Sequence, residues 1–155
     1  MSRPPKCRRV AFMPGVTYFK PAGVPLRFLD EVCLSVDEAE AIRLKDLEDF
    51  DQEQGASKMN ISRPTFQRVL ESARRKISDA LLHGKAIRIE GGNFEMSPLH
   101  FRCTSGHEWN VPFETAMKEP SQSCPVCNMA STTDLCQFGS VPGIWRGCCR
   151  HGKAK

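Results

Sequence analysis

Apolar positions fall at helical spacing only between Ser35 and Gly84 of this chain. Ser35-Val36-Asp37-Glu38 reads as a capping box, with Glu38 placed to reach back to the start of the helix. Ala41, Ile42, Leu44 and Leu47 continue that helix at a roughly helical spacing. A second, short helix starts at Asp51 and runs to about Met59, where Asn60 breaks it. A third, long helix runs from about Arg63 to Leu82, with Gly84 as its stop. Phe66, Val69, Leu70, Ala73, Ile77, Ala80 and Leu81 form its apolar stripe. Ahead of these helices, residues 3–27 hold five of the eleven prolines and read as an extended arm, with one short strand over 9–12. Behind them, residues 85–90 alternate as a strand that Gly91 and Gly92 end. Beyond this boundary the chain turns to short strands, turns and cysteines.

The stretch 52–71 fits a helix-turn-helix. Ala56 is small where two helices approach closely, and Asn60 suits a left-handed turn residue. Ile61 follows as an apolar plug. Ser62 stands at the cap of the next helix and Pro64 in its first turn. The apolar stripe then fixes the other face: Arg63, Thr65, Gln67, Arg68, Glu71, Arg74 and Arg75 point away from the core. In this motif the N-terminal part of the second helix enters the major groove of double-stranded DNA. Arg grips guanine O6 and N7, and Gln grips adenine N6 and N7. Thr65 suits a thymine methyl or a phosphate. Arg74, Arg75 and Lys76 lie where the helix leaves the groove, so phosphates are their targets. A plain helical hairpin with a charged solvent face, or one binding RNA or protein, fits the same spacing.

Composition changes the picture little. The net charge is +4 and 26% of the residues are charged. Its distribution says more. Arg3, Lys6, Arg8, Arg9, Lys20 and Arg27 carry all the charge of the arm, while 30–53 set ten carboxylates against Arg43 and Lys45. From 63 to 76 the only acid is Glu71. This order suits a protein with one face turned to a polyanion. No apolar run approaches the roughly 18 residues of a membrane helix. The basic N-terminus has no apolar segment behind it, so the expected compartment is the cytoplasm.

The segments RPPKCRRVAFMP, VTYFKPAGVPL, LSVDEAEAIRLKDLE, ISRPTFQRVLESARRKI and GKAIRIEGG resemble a prokaryotic family of uncharacterised proteins with a helix-turn-helix similar to region 4 of sigma factors. The resemblance covers about residues 3–92. It implies a DNA-binding fold and a regulatory role. The groove-facing positions would be Ser62, Arg63, Thr65, Gln67 and Arg68. One departure stands out: Gln54-Gly55 occupies a place where an acidic residue and alanine are usual. Glycine there should weaken the helix by up to about 1 kcal/mol.

Six of the eight cysteines lie between Cys103 and Cys149. Clustered thiols in a reducing compartment point to metal or redox chemistry before disulfides. Cys103-Thr-Ser-Gly-His107 and Cys124-Pro-Val-Cys127 are spaced like the two halves of a zinc ribbon. Thiolates and an imidazole in a closed tetrahedron indicate structural zinc, with iron the less suited ion. The first half lacks a second cysteine. His107 takes its place, or else the fourth ligand is His100, Cys136 or water. Among Cys136, Cys148, Cys149 and His151, the cysteines read as free thiols on a loose tail, the adjacent Cys148 and Cys149 as a reactive redox pair, or the group as a second, weaker metal site.

The expected architecture is therefore a basic extended arm (1–30), a mainly α helix-turn-helix domain (31–92), a small β-rich zinc-ribbon-like module (98–138) and a flexible tail (139–155). The expected function is sequence-specific DNA binding by a transcription regulator or promoter-associated factor, as a homodimer or with a partner such as RNA polymerase. A metal- or redox-sensing regulator and a protein adaptor are the alternatives. No enzyme is expected: the chain has no phosphate-binding glycine loop and no triad, and its metal site is filled by protein ligands.

Overall fold

A computed structural model describes residues 7–119 and 122–132. Arg3, Lys6, Cys136, Cys148, Cys149, His151 and the expected tail lie outside them.

Three helices build the first core. In α1 (Val36–Ile42), Glu38 accepts the Ser35 backbone N–H at 2.9 Å, closing the predicted first turn. A wider π-helical turn (Arg43–Leu47) follows, with Glu48 N–H reaching back five residues to Arg43 O. That extra residue rotates the pattern, and Leu47, predicted on the apolar stripe, is 80% exposed. Helix α2 (Gln52–Lys58) is capped at both ends of its first turn: Gln54 N–H donates to Asp51 Oδ1, and Asp51 N–H to Gln54 Oε1. The chain then turns through Asn60, which takes the left-handed φ of 54°. Helix α3 (Arg63–His83) ends on a left-handed Gly84. Ala41, Leu44, Ala56, Met59, Phe66, Val69 and Leu70 form the shared core.

Gly55 explains its own departure from the expected alanine. A Cβ placed there would lie 2.5 Å from Phe66 Cζ. The Phe66 ring sits directly on the α2 backbone, so the helix gives up propensity to seat a large aromatic residue. At the other end of α3 the predicted stripe fails. Ala80 is buried, but Leu81 and Leu82 are 74% and 81% exposed. Residue 81 lies 100° further round the helix, beyond the reach of α1 and α2.

The strands add sheet structure to the segment expected as an extended arm and to the helical domain. The arm supplies β1 (Arg8–Val10) and β2 (Tyr18–Phe19), and a 3-10 turn (Leu26–Phe28) follows. β2 pairs antiparallel with β4 (Ala86–Ile89), which pairs in parallel with β3 (Glu31–Leu34). β1 pairs in parallel with β5 (Phe94–Met96). The arm folds back because it carries buried anchors: Val10 is fully buried, and Arg8 forms an ion pair with the buried Asp37 of α1.

The second lobe contains β6 (Leu99–Cys103), β7 (Glu108–Val111), α4 (Phe113–Lys118) and β8 (Ser131–Thr132), in an antiparallel sheet ordered β7-β6-β8. β6 alternates strictly, with Leu99, Phe101 and Cys103 inward and His100 and Arg102 outward. Leu99, Phe101, Val111 and Ala116 form its small core. Phe101 stacks on its cross-strand partner Trp109, ring centroids 5.8 Å apart.

Candidate metal centre and nucleic-acid interface

The alternation of β6 aims Cys103 inward at the strand's end. A tight loop returns the chain at once: Gly106 N–H donates to Cys103 O, and Cys103 N–H to His107 O, at 2.9 and 3.0 Å. Cys103 and His107 therefore meet. A second turn, closed by Asn128 N–H to Cys124 O and by Cys124 N–H to Met129 O, holds Cys124 and Cys127. Asn128 takes a left-handed φ of 55° there. One sulfur or nitrogen atom from each of Cys103, His107, Cys124 and Cys127 lies within 4.8 Å of the others.

The donor set fits a tetrahedral ion. Metal–sulfur bonds of about 2.3 Å and metal–nitrogen bonds of about 2.0–2.1 Å set sulfur–sulfur edges near ~3.8 Å and sulfur–nitrogen edges near ~3.5 Å. Cys103 Sγ lies 3.7 Å from Cys127 Sγ and 3.4 Å from His107 Nδ1. Burial works against a Cys103 thiolate, but the His107 backbone N–H, the Cys127 and His107 side chains and the Ser105 backbone outweigh it. Together they hold the thiol down at about 6. Cys127 moves the other way: a hydrogen bond with the Met129 backbone favours its thiolate, but burial and the Cys124 and Cys103 sulfurs push the thiol up. Such a site can hold a metal ion in a closed protein shell. His100, an alternative fourth ligand in the sequence, instead meets Glu108 at 3.4 Å.

The predicted DNA-contacting residues lie on α3 and its cap. Ser62 occupies the N-cap position but makes no side-chain cap bond; its hydroxyl meets Thr65 Oγ1 at 2.8 Å. Arg63 donates to Gln52 Oε1 at 3.2 Å, and Gln67 donates to Glu71 Oε1 at 2.9 Å. Arg68 and Arg75 are exposed and have no ion-pair partner among the described residues. They are seven residues apart, so they share one line of the helix.

Several cations expected on that face are engaged within the fold. Arg74 donates to both oxygens of Asp46, at 3.2 and 2.5 Å, and these bonds hold its guanidinium more firmly protonated. Lys76, expected on phosphate, bonds to Glu38 at 2.7 Å. Arg8 is bound to Asp37, and Arg9 lies 3.6 Å from Glu95, so neither projects as a free arm. Burial opposes the Glu38 carboxylate, yet Lys76, Ser72 and the Ser35 N–H hold its pKa below the ordinary value. Sequence reasoning missed these acidic partners. The run of carboxylates at 30–53 was the signal that they needed cations.

Fold and site together define a small two-lobed α/β protein with a Cys3His cluster in its second lobe. The chain belongs to the family described as protein of unknown function DUF134, which matches residues 1–97. It is 53% identical over 154 residues to a UPF0251 protein of Moorella thermoacetica, covering 99% of this chain and 96% of that protein. It is 64% identical over 117 residues to a UPF0251 protein of Dehalococcoides mccartyi, covering 74% of this chain and 100% of that protein. No solved structure matches the chain. Among the described residues no helix is long and apolar enough to cross a membrane.

Proposed function

We propose that this chain is a cytoplasmic, sequence-specific DNA-binding protein, a transcription regulator or promoter-associated factor. On this reading α2 and α3 form a helix-turn-helix and α3 reads the major groove. The observation that carries it is the α2–α3 junction. The left-handed Asn60 and the seat of Phe66 on Gly55 fix α3 against α2 with its other face in solvent. That solvent face bears Arg63, Gln67 and Arg68 in the first two turns. Arg68 is suited to guanine and Gln67 to adenine, and Arg75, two turns beyond Arg68, is suited to phosphate; neither arginine has an ion-pair partner among the described residues. The Cys3His cluster holds structural zinc, favoured because an imidazole joins three thiolates. One helix-turn-helix buries little surface, so a dimer or a protein partner completes a specific complex.

The test is capture of sheared genomic DNA by the purified zinc-loaded protein beside an Arg63→Ala/Arg68→Ala variant, followed by sequencing. The expected result is a short shared motif enriched by the native protein and lost in the variant. Diffuse, salt-sensitive capture by both would defeat base reading by α3.

A further inference from the structure

Strand β1 touches three parts of the molecule through its own backbone. On one edge, Arg9 N–H donates to Met59 O at 2.9 Å, in the turn between α2 and α3. On the other, Arg8 N–H donates to Asn93 O at 3.0 Å and Ser97 N–H donates to Val10 O at 2.8 Å, where β1 pairs with β5. Just past the strand, Ala11 N–H donates to Glu40 Oε1 of α1 at 3.0 Å.

β5 in turn reaches the second lobe. Its last residue, Met96, packs against Leu99, Phe101, Val111 and Ala116, the core beneath the strand that carries Cys103. A two-stranded ribbon is marginal by itself, so what it packs against decides whether it holds. The β1–β5 pair therefore has supports in α1 and in the α2–α3 turn on one side, and in the metal-holding lobe on the other.

We propose that β1 transmits metal occupancy of the Cys103, His107, Cys124 and Cys127 cluster to the turn that sets α3 against α2. The second lobe is the two-state element. A module with so small a core folds when its metal binds and opens when the metal leaves. Opening removes the packing of Met96, β5 frays, and β1 loses its edge partner. The Arg9–Met59 bond then opens more often, and the Asn60–Ile61 turn is less firmly held. Metal thus makes this protein a sensor, through a coupling between two distinct sites. The consequence for DNA affinity rests on the reading of α3 given above; the structural linkage does not.

Amide hydrogen exchange of the full chain, with one equivalent of zinc and again after removal with EDTA, tests it without DNA. Chelation is expected to speed exchange of the Arg9, Asn60, Ile61 and Ser97 amides by about tenfold or more while leaving Val69 to Ala73 protected. Two results would overturn the proposal. In one, residues 99–103 open on chelation but Arg9 and Ile61 are unchanged. In the other, 99–103 stay protected without metal. Arg9→Pro deletes the Arg9 N–H that donates to Met59 O, and Arg9→Ala keeps it while removing the side chain. Chelation should still expose Ser97 in both variants, but should change Ile61 only in Arg9→Ala. Equal responses of Ile61 in the two variants would remove β1 as the route. Failure of the zinc-loaded protein to capture DNA would sink the reading of α3 and leave the exchange result standing.

Discussion

The two lobes are held by different physics. The first buries Ala41, Leu44, Ala56, Met59, Phe66, Val69 and Leu70 in one cluster. It also buries three carboxylates of α1, each against a cation: Asp37 with Arg8, Glu38 with Lys76, and Glu40 with Arg43. The second lobe buries only Leu99, Phe101, Val111 and Ala116 in its core cluster, beside four potential ligands. A core of that size cannot offset the conformational entropy of the loops around it. The comparison teaches that one lobe is specified by burial and charge pairing, while the other sets four potential metal ligands beside a much smaller core.

The largest expected effect breaks the second lobe and leaves the helical core of the first folded. Cys124→Ser, or chelation of the native protein, should unfold residues 97–132. Apparent metal-binding energies for structural zinc are about 10–16 kcal/mol, far more than the apolar contacts there can replace. Limited proteolysis should then cut within 97–132 while 34–84 survives as a protected fragment. Equal digestion of both regions would mean that the lobes do not differ in the way argued.

The next effect tests the first lobe at its tightest contact. Phe66→Ala should cost about 3–5 kcal/mol, read as a shifted urea midpoint. Gly55→Ala makes the sharper test, because two principles oppose each other there. Helix propensity alone favours alanine by about 1 kcal/mol. The 2.5 Å approach to Phe66 Cζ predicts net destabilisation, of about 1–3 kcal/mol for overpacking. Combining Gly55→Ala with Phe66→Leu should recover part of the loss, since the two positions touch. A stabilised Gly55→Ala single variant would break the account of this junction.

How much of this was legible in the sequence follows from how local each signal is. The bounds of α3, the left-handed Asn60 and the Gly84 stop are written in adjacent residues, and the structure carries all three. The meeting of Cys103, His107, Cys124 and Cys127 was equally readable, because each pair sits on its own tight turn. Pairings across long separations were not. β1 meets β5 some 86 residues later, and neither strand's composition names its partner. The exposure of Leu47 depends on one π-helical turn, and that of Leu81 on where the neighbouring helices stop. The partners of the charges were hidden for the same reason. Asp46 and Glu38 claim Arg74 and Lys76 only once the helices have packed.

A smaller effect separates the lobes by pH. The Glu38 carboxyl titrates below its ordinary 4.5 in the folded chain. Its stabilisation is therefore fully present above about 4.5 and is lost as pH falls through the lower folded value. Glu38→Gln should cost about 1–3 kcal/mol near neutral pH, because Lys76 and Ser72 lose a charged acceptor. The gap between native and variant should narrow on acidification below 4.5. A gap that stays constant with pH would mean that the carboxylate's charge is not what Lys76 and Ser72 hold.

The smallest effect distinguishes two neighbouring arginines. Arg74 is half-exposed and tied to Asp46, whereas Arg75 is exposed and unpaired among the described residues. As a surface ion pair, Arg74–Asp46 contributes within about 1 kcal/mol, so Arg74→Ala should barely move the urea midpoint. In DNA binding the two should differ, although charge alone makes them equal. Each phosphate contact contributes a slope of about −0.9 in log affinity against log salt. Arg75→Ala should remove close to one such contact. Arg74→Ala should remove less, since Arg74 reaches a phosphate only by leaving Asp46 uncompensated. Anisotropy titrations of a captured DNA between about 50 and 200 mM salt measure both slopes. Equal losses would mean that Asp46 releases Arg74 freely, and that the acidic turn before α2 does not restrain the face of α3.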